Sequence, residues 1–150
     1  MPKDSMPESI RLTLIQIMRD HGLAKFGDTV INFIYSWAKT KCLKTPMGER
    51  VYDKALAEAI RQSNLRNVMP SSSSSGDLGD GAEALIGFAF LEELMDLEEM
   101  TEIIQEIWET ESPQAFSSRK KEKRFMIECF TSLLLEIKER VAKRITNNSS

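Results

Sequence analysis

Histidine and cysteine are nearly absent from this chain of 150 residues, which has one histidine, His21, and two cysteines, Cys42 and Cys129. A single histidine leaves little scope for a catalytic pair of serine or cysteine with histidine. The two cysteines lie far apart and form no CxxC pair, so neither a zinc site nor a redox motif is indicated. We expect both thiols to be reduced in a cytoplasmic protein.

Long apolar runs and an excess of positive charge are also lacking. No run approaches the roughly 20 residues of a membrane span, and the N-terminus lacks the apolar stretch of a signal peptide. We therefore expect no membrane partner. The formal net charge is −3, which argues against nucleic-acid binding through bulk charge. Any such binding would need a local basic patch or a cation that neutralises carboxylates.

Glycine, proline and aromatic residues are sparse, at 7 residues, 5 residues and 7% of the chain. Few helix breakers, with 41% apolar and 29% charged residues, favour one all-α domain. We assign it to residues 1–146, followed by a disordered tail at 147–150. The spacing of apolar residues predicts no strand and six helices, over residues 7–20, 24–42, 49–64, 80–95, 97–111 and about 118–145.

Three details of this pattern bear on the organisation of the domain. Gly22 is expected to end the first helix. The helix over residues 24–42 is apolar on nearly all sides, which is typical of a central helix. The five serines Ser71 to Ser75 fall in a stretch without apolar periodicity and predict a flexible loop before the fourth helix.

Three carboxylates stand at the predicted starts of two helices. Asp28 follows Gly27 in the second helix, and Asp80 and Glu83 are three residues apart, so they share one helix face. Carboxylates brought together suit a hard divalent cation. The same spacing also fits a capping box formed by Asp80 and Glu83, and an aspartate in a first helical turn is stabilised by the helix dipole. Spacing alone leaves both interpretations open.

The residues around these acids resemble the catalytic domain of the ribonuclease III family. The resemblance lies in Phe26-Gly27-Asp28-Thr29-Val30 and, more specifically, in Asp80-Gly81-Ala82-Glu83-Ala84-Leu85-Ile86-Gly87. It covers roughly residues 10–110. The pattern looks most like the Mini-III class and small archaeal versions, which lack a double-stranded RNA-binding domain. The resemblance implies a homodimeric endoribonuclease that cleaves double-stranded or structured RNA, and no activity on DNA.

Carried over to this sequence, the resemblance implies that Asp28, Asp80 and Glu83 bind Mg²⁺ or Mn²⁺, with Glu83 as the principal ligand. The ion would activate a water molecule and stabilise the charge that develops on the phosphate, so no protein nucleophile would be needed. Asn32, one turn after Asp28, would either orient a metal-bound water or belong to a solvated helix face.

The sequence departs from the family pattern at two positions. Ala24 stands where the larger enzymes have a further glutamate. Mini-III proteins also lack an acid at this position. Asp20 could replace that acid only if the helix ran through Gly22. Lys25 stands where the family often has an aromatic residue in the dimer contact, a role that Phe26 could take over.

These departures leave two other functions open. One is a catalytically inactive ribonuclease III fold that serves as an RNA-binding or ribosome-associated module. The other is a helical interaction protein in which Asp80 and Glu83 only cap a helix. The basic residues lie in the run Arg119 to Arg124 and at Lys41, Lys44, Arg61 and Arg66. They fit either a solvated surface or contacts with an RNA backbone. The serine loop is likewise either a linker or an RNA-facing loop.

Overall fold

The computed structural model describes residues 6–148, which form six α-helices. Their bounds are α1 Glu8–Met18, α2 His21–Leu43, α3 Asp53–Gln62, α4 Ser75–Leu91, α5 Leu97–Thr110 and α6 Arg119–Asn148. Two short 3₁₀ turns, Arg66–Val68 and Ala115–Ser117, precede α4 and α6. The described residues contain no strand, so the predicted all-α fold is confirmed.

The central helix of the bundle is α4. Ten of its 17 residues are buried, and it packs against α1, α2, α3 and α6. Its buried positions include several glycines and alanines, whose small side chains let neighbouring helices approach closely. The prediction that α2 would be central is wrong, because α2 leaves Phe33 half exposed to solvent.

The start of α2 lies earlier than the sequence predicted. Asp20 is its N-cap, and the Asp20 carboxylate accepts a hydrogen bond of 2.9 Å from the Leu23 amide. This cap starts the helix at His21, so Gly22 lies in the first turn of α2 and does not end α1. Asp28 consequently lies in the second turn of α2, beyond the unpaired amides that would favour a carboxylate as a simple end cap.

The start of α4 also differs, by five residues. Ser74 and Asp77 form a capping box, with bonds of 3.1 Å to the Asp77 amide and 2.9 Å to the Ser74 amide. The capping-box interpretation of Asp80 and Glu83 is therefore wrong, since both lie inside α4. The prediction of a flexible serine loop is wrong for Ser74 and Ser75, which cap and begin the helix.

The C-terminal helix extends further than predicted. It reaches Asn148, so residues 147 and 148 are helical and the predicted tail is wrong there. Residues 1–5 and 149–150 lie outside the described part of the chain. The expectation that the N-terminus lacks the apolar stretch of a signal peptide concerns the first of these segments. Both cysteines are free. No helix within residues 6–148 combines the length and the apolar character needed to cross a membrane.

A buried polar network joins α2 to α6 and to the segment before α3. Lys39 donates hydrogen bonds to Glu122 at 2.8 Å and Glu49 at 2.7 Å, and the Tyr35 hydroxyl donates to Glu122 at 2.6 Å. Burial alone would lower the pKa of Lys39, but its bonds to Glu122 and Glu49 outweigh burial and raise it. The pKa of Tyr35 is raised by burial and by Glu122. The network fixes the position of the segment that leads into α3.

Candidate functional site

Two glycines set the crossing of α2 and α4. A Cβ atom on Gly27 would overlap the backbone carbonyl of Glu83, and one on Gly87 would lie 2.8 Å from the Leu23 oxygen and 3.1 Å from the Gly27 Cα. Both positions therefore require glycine for the helices to touch backbone to backbone. Since Asp28 follows Gly27 directly, this contact also brings Asp28 next to Glu83.

A cleft of about 350 Å³ opens beside this crossing. All three acids that the sequence singled out line the cleft: Glu83 is buried, Asp28 is half-buried and Asp80 is exposed at the mouth. A fourth carboxylate comes from the first residue of α3. The complete lining is His21, Ala24, Lys25, Asp28, Arg50, Asp53, Asp80 and Glu83.

The electrostatics of the cleft are dominated by carboxylates that lie close together. The pKa of Glu83 is raised to about 8, first by burial and then by a hydrogen bond with Asp28 and the charges of Asp28, Asp80 and Asp53. Burial and the charge of Asp77 raise the pKa of Asp80, an effect that His21 partly offsets. These surroundings favour the protonated form of the Glu83 carboxyl over the ionised form.

The chemistry of this donor set fits a hard divalent cation. Within residues 6–148, the ion pairs formed by lysine and arginine involve none of these four acids. As the side chains stand, the described residues hold no group of three or more His, Cys, Asp or Glu that could bind a metal ion. The fit therefore rests on four carboxylates that line one cleft and form none of these ion pairs.

Comparison with known families agrees with this arrangement. A family model described as Ribonuclease III matches residues 21–143, which include α2 to α5 and most of α6. The chain belongs to the ribonuclease III family. No curated protein matches the chain.

Two residues of this ribonuclease III cleft escaped the sequence analysis. Asp53 begins α3, where an acid is expected merely to complement the helix dipole. Arg50 lies in the extended segment before α3 and faces both the cleft and a neighbouring groove of about 740 Å³. No sequence signal distinguished these two side chains, because only the path of the segment between α2 and α3 brings them to the cleft.

The position of the missing fourth acid is visible in the cleft wall. Ala24 lies one turn before Asp28 and is 7% exposed, so the wall is apolar where the larger ribonuclease III enzymes have a glutamate. Asp20 does not replace it. The helix does run through Gly22, but Asp20 caps that helix and its side chain does not line the cleft.

Several polar residues have structural partners that sequence could not show. Asn32 donates to Asp28 at 3.2 Å and accepts from the Val51 amide at 2.8 Å, so its side chain is not part of a simply solvated face. Arg66 donates to the carbonyls of Pro70 and Ser71, each at 3.0 Å. Arg66 thereby stabilises the turn before α4.

Proposed function

We propose that this protein is a divalent-metal-dependent endoribonuclease that cleaves double-stranded or structured RNA as a homodimer in the cytoplasm. The observation that carries the proposal is the cleft in which Asp28, Asp53, Asp80 and Glu83 come together beside Lys25 and Arg50. The four carboxylates suit a metal ion, and the two basic side chains beside them suit a phosphate group bound to that ion.

The residues of the cleft divide into two groups by charge. Glu83 and Asp28 form the floor and Asp80 lies at the mouth, so these carboxylates would hold Mg²⁺ or Mn²⁺, with Asp53 from the opposite wall. When bound, the ion supplies an activated water and stabilises charge on the phosphate. Arg50 and Lys25 lie at the rim, where their charges favour a phosphodiester and orient it toward the carboxylates.

A path for the flanking RNA strand continues from the cleft into the groove next to it. The groove shares Arg50 and Asp53 with the cleft and also contains Arg119, whose guanidinium lies 5.7 Å from the centre of the Tyr52 ring. The carboxylates of Glu49 and Glu122 in this groove are paired with Lys39. Arg50 and Arg119 are therefore the cations left to contact the RNA backbone.

The homodimer is supported by an apolar surface on the outer side of α2. Phe26, Phe33 and Trp37 are spaced by seven and four residues, so they share one helix face, and Phe33 is 50% exposed. Phe26 packs against Phe90 at a ring distance of 6.0 Å, and Leu91 beside it is 51% exposed. A second copy is the occupant that fits, because Phe26 of this face follows Lys25 of the cleft in α2 and a duplex has two strands to cut.

The dimer is tested by sedimentation of the Phe33→Glu variant. A charge in the middle of this face should convert a dimer into a folded monomer, since burying an unpaired charge is costly. Leu12→Glu is the matched control, because Leu12 is similarly exposed on α1, away from the face. A wild-type protein that sediments as a monomer at micromolar concentration would contradict the dimer.

The activity is tested with labelled duplex RNA in Mg²⁺ and again in excess EDTA. We expect cutting by the wild type in Mg²⁺ only, and a loss of several orders of magnitude in Glu83→Gln with duplex binding retained. Asp28→Asn should behave in the same way. Glu102→Gln, on the exposed side of α5, is the control and should cut like the wild type.

Other outcomes assign the two competing functions. Duplex binding without metal-dependent cutting of any RNA would identify the inactive RNA-binding module. Absence of RNA affinity at low salt would identify the helical interaction protein. Cutting by Glu83→Gln at the wild-type rate would end the assignment of Glu83 as the principal metal ligand.

A further inference from the structure

The polar side of α2 holds an extended segment by hydrogen bonds at regular spacing. We call residues 47–51 the tether segment. The Thr40 hydroxyl accepts from the Met47 amide at 2.9 Å, the Ser36 hydroxyl accepts from the Glu49 amide at 2.8 Å, and the Asn32 carbonyl accepts from the Val51 amide at 2.8 Å. Residues four apart on α2 therefore bond to every second residue of the tether segment.

Because the bonds to α2 engage residues 47, 49 and 51, the side chain of Arg50 can contact the cleft. Between the tethered residues Glu49 and Val51, the side chain of Arg50 is exposed. It reaches the cleft and the adjoining groove. Asp53 follows two residues after the last tethered position. The bond at Val51 thus lies between the two cleft residues, one position after Arg50 and two before Asp53.

Asn32 differs from Ser36 and Thr40 in what its second polar atom does. The second bonds of Ser36 and Thr40 return to the tether segment, to the carbonyls of Glu49 and Met47. The Asn32 amide nitrogen instead donates to Asp28 Oδ1 at 3.2 Å. The Val51 amide can only donate, which fixes the carbonyl of Asn32 toward it and leaves the amide nitrogen for Asp28.

We propose that Asn32 is a positioning residue that fixes the Asp28 carboxylate and the tether segment, with Arg50 and Asp53, in one geometry for cation binding. The inference rests on the proposed function. It gives Asn32 a role different from orienting a metal-bound water. An asparagine suits the position because it presents an acceptor on one side and a donor on the other at one fixed distance. Alanine loses both bonds, and serine is too short to span both partners.

The test uses Asn32→Ala with Ser36→Ala as the matched control. Each variant removes the tether at one residue, but only Asn32→Ala frees Asp28. Calorimetric titration with Mn²⁺ alone should show affinity weakened about ten- to a hundredfold in Asn32→Ala, the usual effect of removing a partner that orients a metal ligand. Ser36→Ala should bind Mn²⁺ like the wild type. Amide exchange at Val51 and Glu49 checks that each tether was lost.

A double-mutant cycle then shows whether Asn32 acts through Asp28. In an Asp28→Ala background, Asn32→Ala should weaken Mn²⁺ binding by much less than it does in the wild type, because only its effect through the tether segment remains. An undiminished further loss there, or an equal loss in Ser36→Ala, would overturn the proposal. Should Asn32→Ala fail to fold, Asn32→Ser serves with the same expectation. Wild-type protein without Mn²⁺ affinity would overturn this inference together with the proposed function, whereas unchanged affinity in Asn32→Ala overturns this inference alone.

Discussion

Replacing Glu83 by glutamine should stabilise the metal-free protein, and by an amount that depends on pH. The folded protein raises the pKa of Glu83 from 4.5 to about 8. Between these values the folded state binds more protons at this site than the unfolded chain does. The stability of the wild type therefore falls as the pH rises through this window and is constant above it. Glutamine carries no charge at any pH.

The size of the effect follows from the same two values. At about 1.36 kcal/mol per pKa unit, they set a ceiling of about 4.8 kcal/mol for the destabilisation above pH 8. The cleft is open to water, which screens the charges, so we expect about 1 to 2 kcal/mol. For a chain of this length that corresponds to a melting temperature about 3 to 7 °C higher in Glu83→Gln.

The assay is thermal unfolding of both proteins in EDTA at several values of pH. The two curves should coincide near pH 5, because the glutamine amide then donates to Asp28 as the protonated carboxyl does, and they should separate by pH 9. Mg²⁺ at pH 8 should raise the melting temperature of the wild type and leave Glu83→Gln almost unchanged, since only the wild type gains binding energy. Glu102→Gln should follow the wild type throughout. A gap between Glu83→Gln and wild type that stays constant from pH 5 to 9 would refute the electrostatic reasoning.

Three further substitutions test how the cleft and its surroundings are built. Gly27→Ala should destabilise the protein by about 3 kcal/mol or more in denaturant unfolding, because its Cβ overlaps the Glu83 carbonyl; a cost below 1 kcal/mol would contradict the close crossing. Lys39→Met should cost about 3 to 5 kcal/mol, since it leaves the buried Glu122 carboxylate without its cation, and an unchanged unfolding midpoint would contradict it. Ser74→Ala should cost about 1 kcal/mol through loss of the α4 cap, with Ser72→Ala as a neutral control; equal midpoints in the two serine variants would argue against the cap.

The sequence predicted the number and order of the helices because apolar spacing reports directly on burial. It failed at three helix starts beside the site, since α2 begins at His21 and not at residue 24, α3 at Asp53 and not at residue 49, and α4 at Ser75 and not at residue 80. Two of these errors have a clear cause. A glycine near the end of an apolar stretch indicates a helix stop, yet the Asp20 cap starts α2 before Gly22. Five serines indicate flexibility, yet the fourth of them caps α4. In both cases one side-chain bond to the backbone outweighs the local composition, and such a bond cannot be predicted without the path of the chain.

Three of the four acids of the cleft were identified from the sequence and Asp53 was missed, for a related reason. Asp28, Asp80 and Glu83 stand in helices whose surrounding residues resemble a known family, so they could be named from sequence. Asp53 and Arg50 come from the connection between α2 and α3, whose path depends on the bond from Asn32 and on the buried Lys39. No local pattern in the sequence contains those tertiary contacts.

The two glycines of the crossing connect the stability of the bundle to the chemistry of the cleft. Gly27 lies next to Asp28, and Gly87 is one turn after Glu83, so the backbone contact that packs α2 on α4 also holds the two carboxylates together. Burial and, after it, the neighbouring carboxylates raise the pKa of Glu83, so an ionised Glu83 opposes folding. The apolar packing around the buried α4 offsets that cost. A cation bound to the carboxylates would remove that cost, so the same packing that holds the acids together would favour the binding of positive charge.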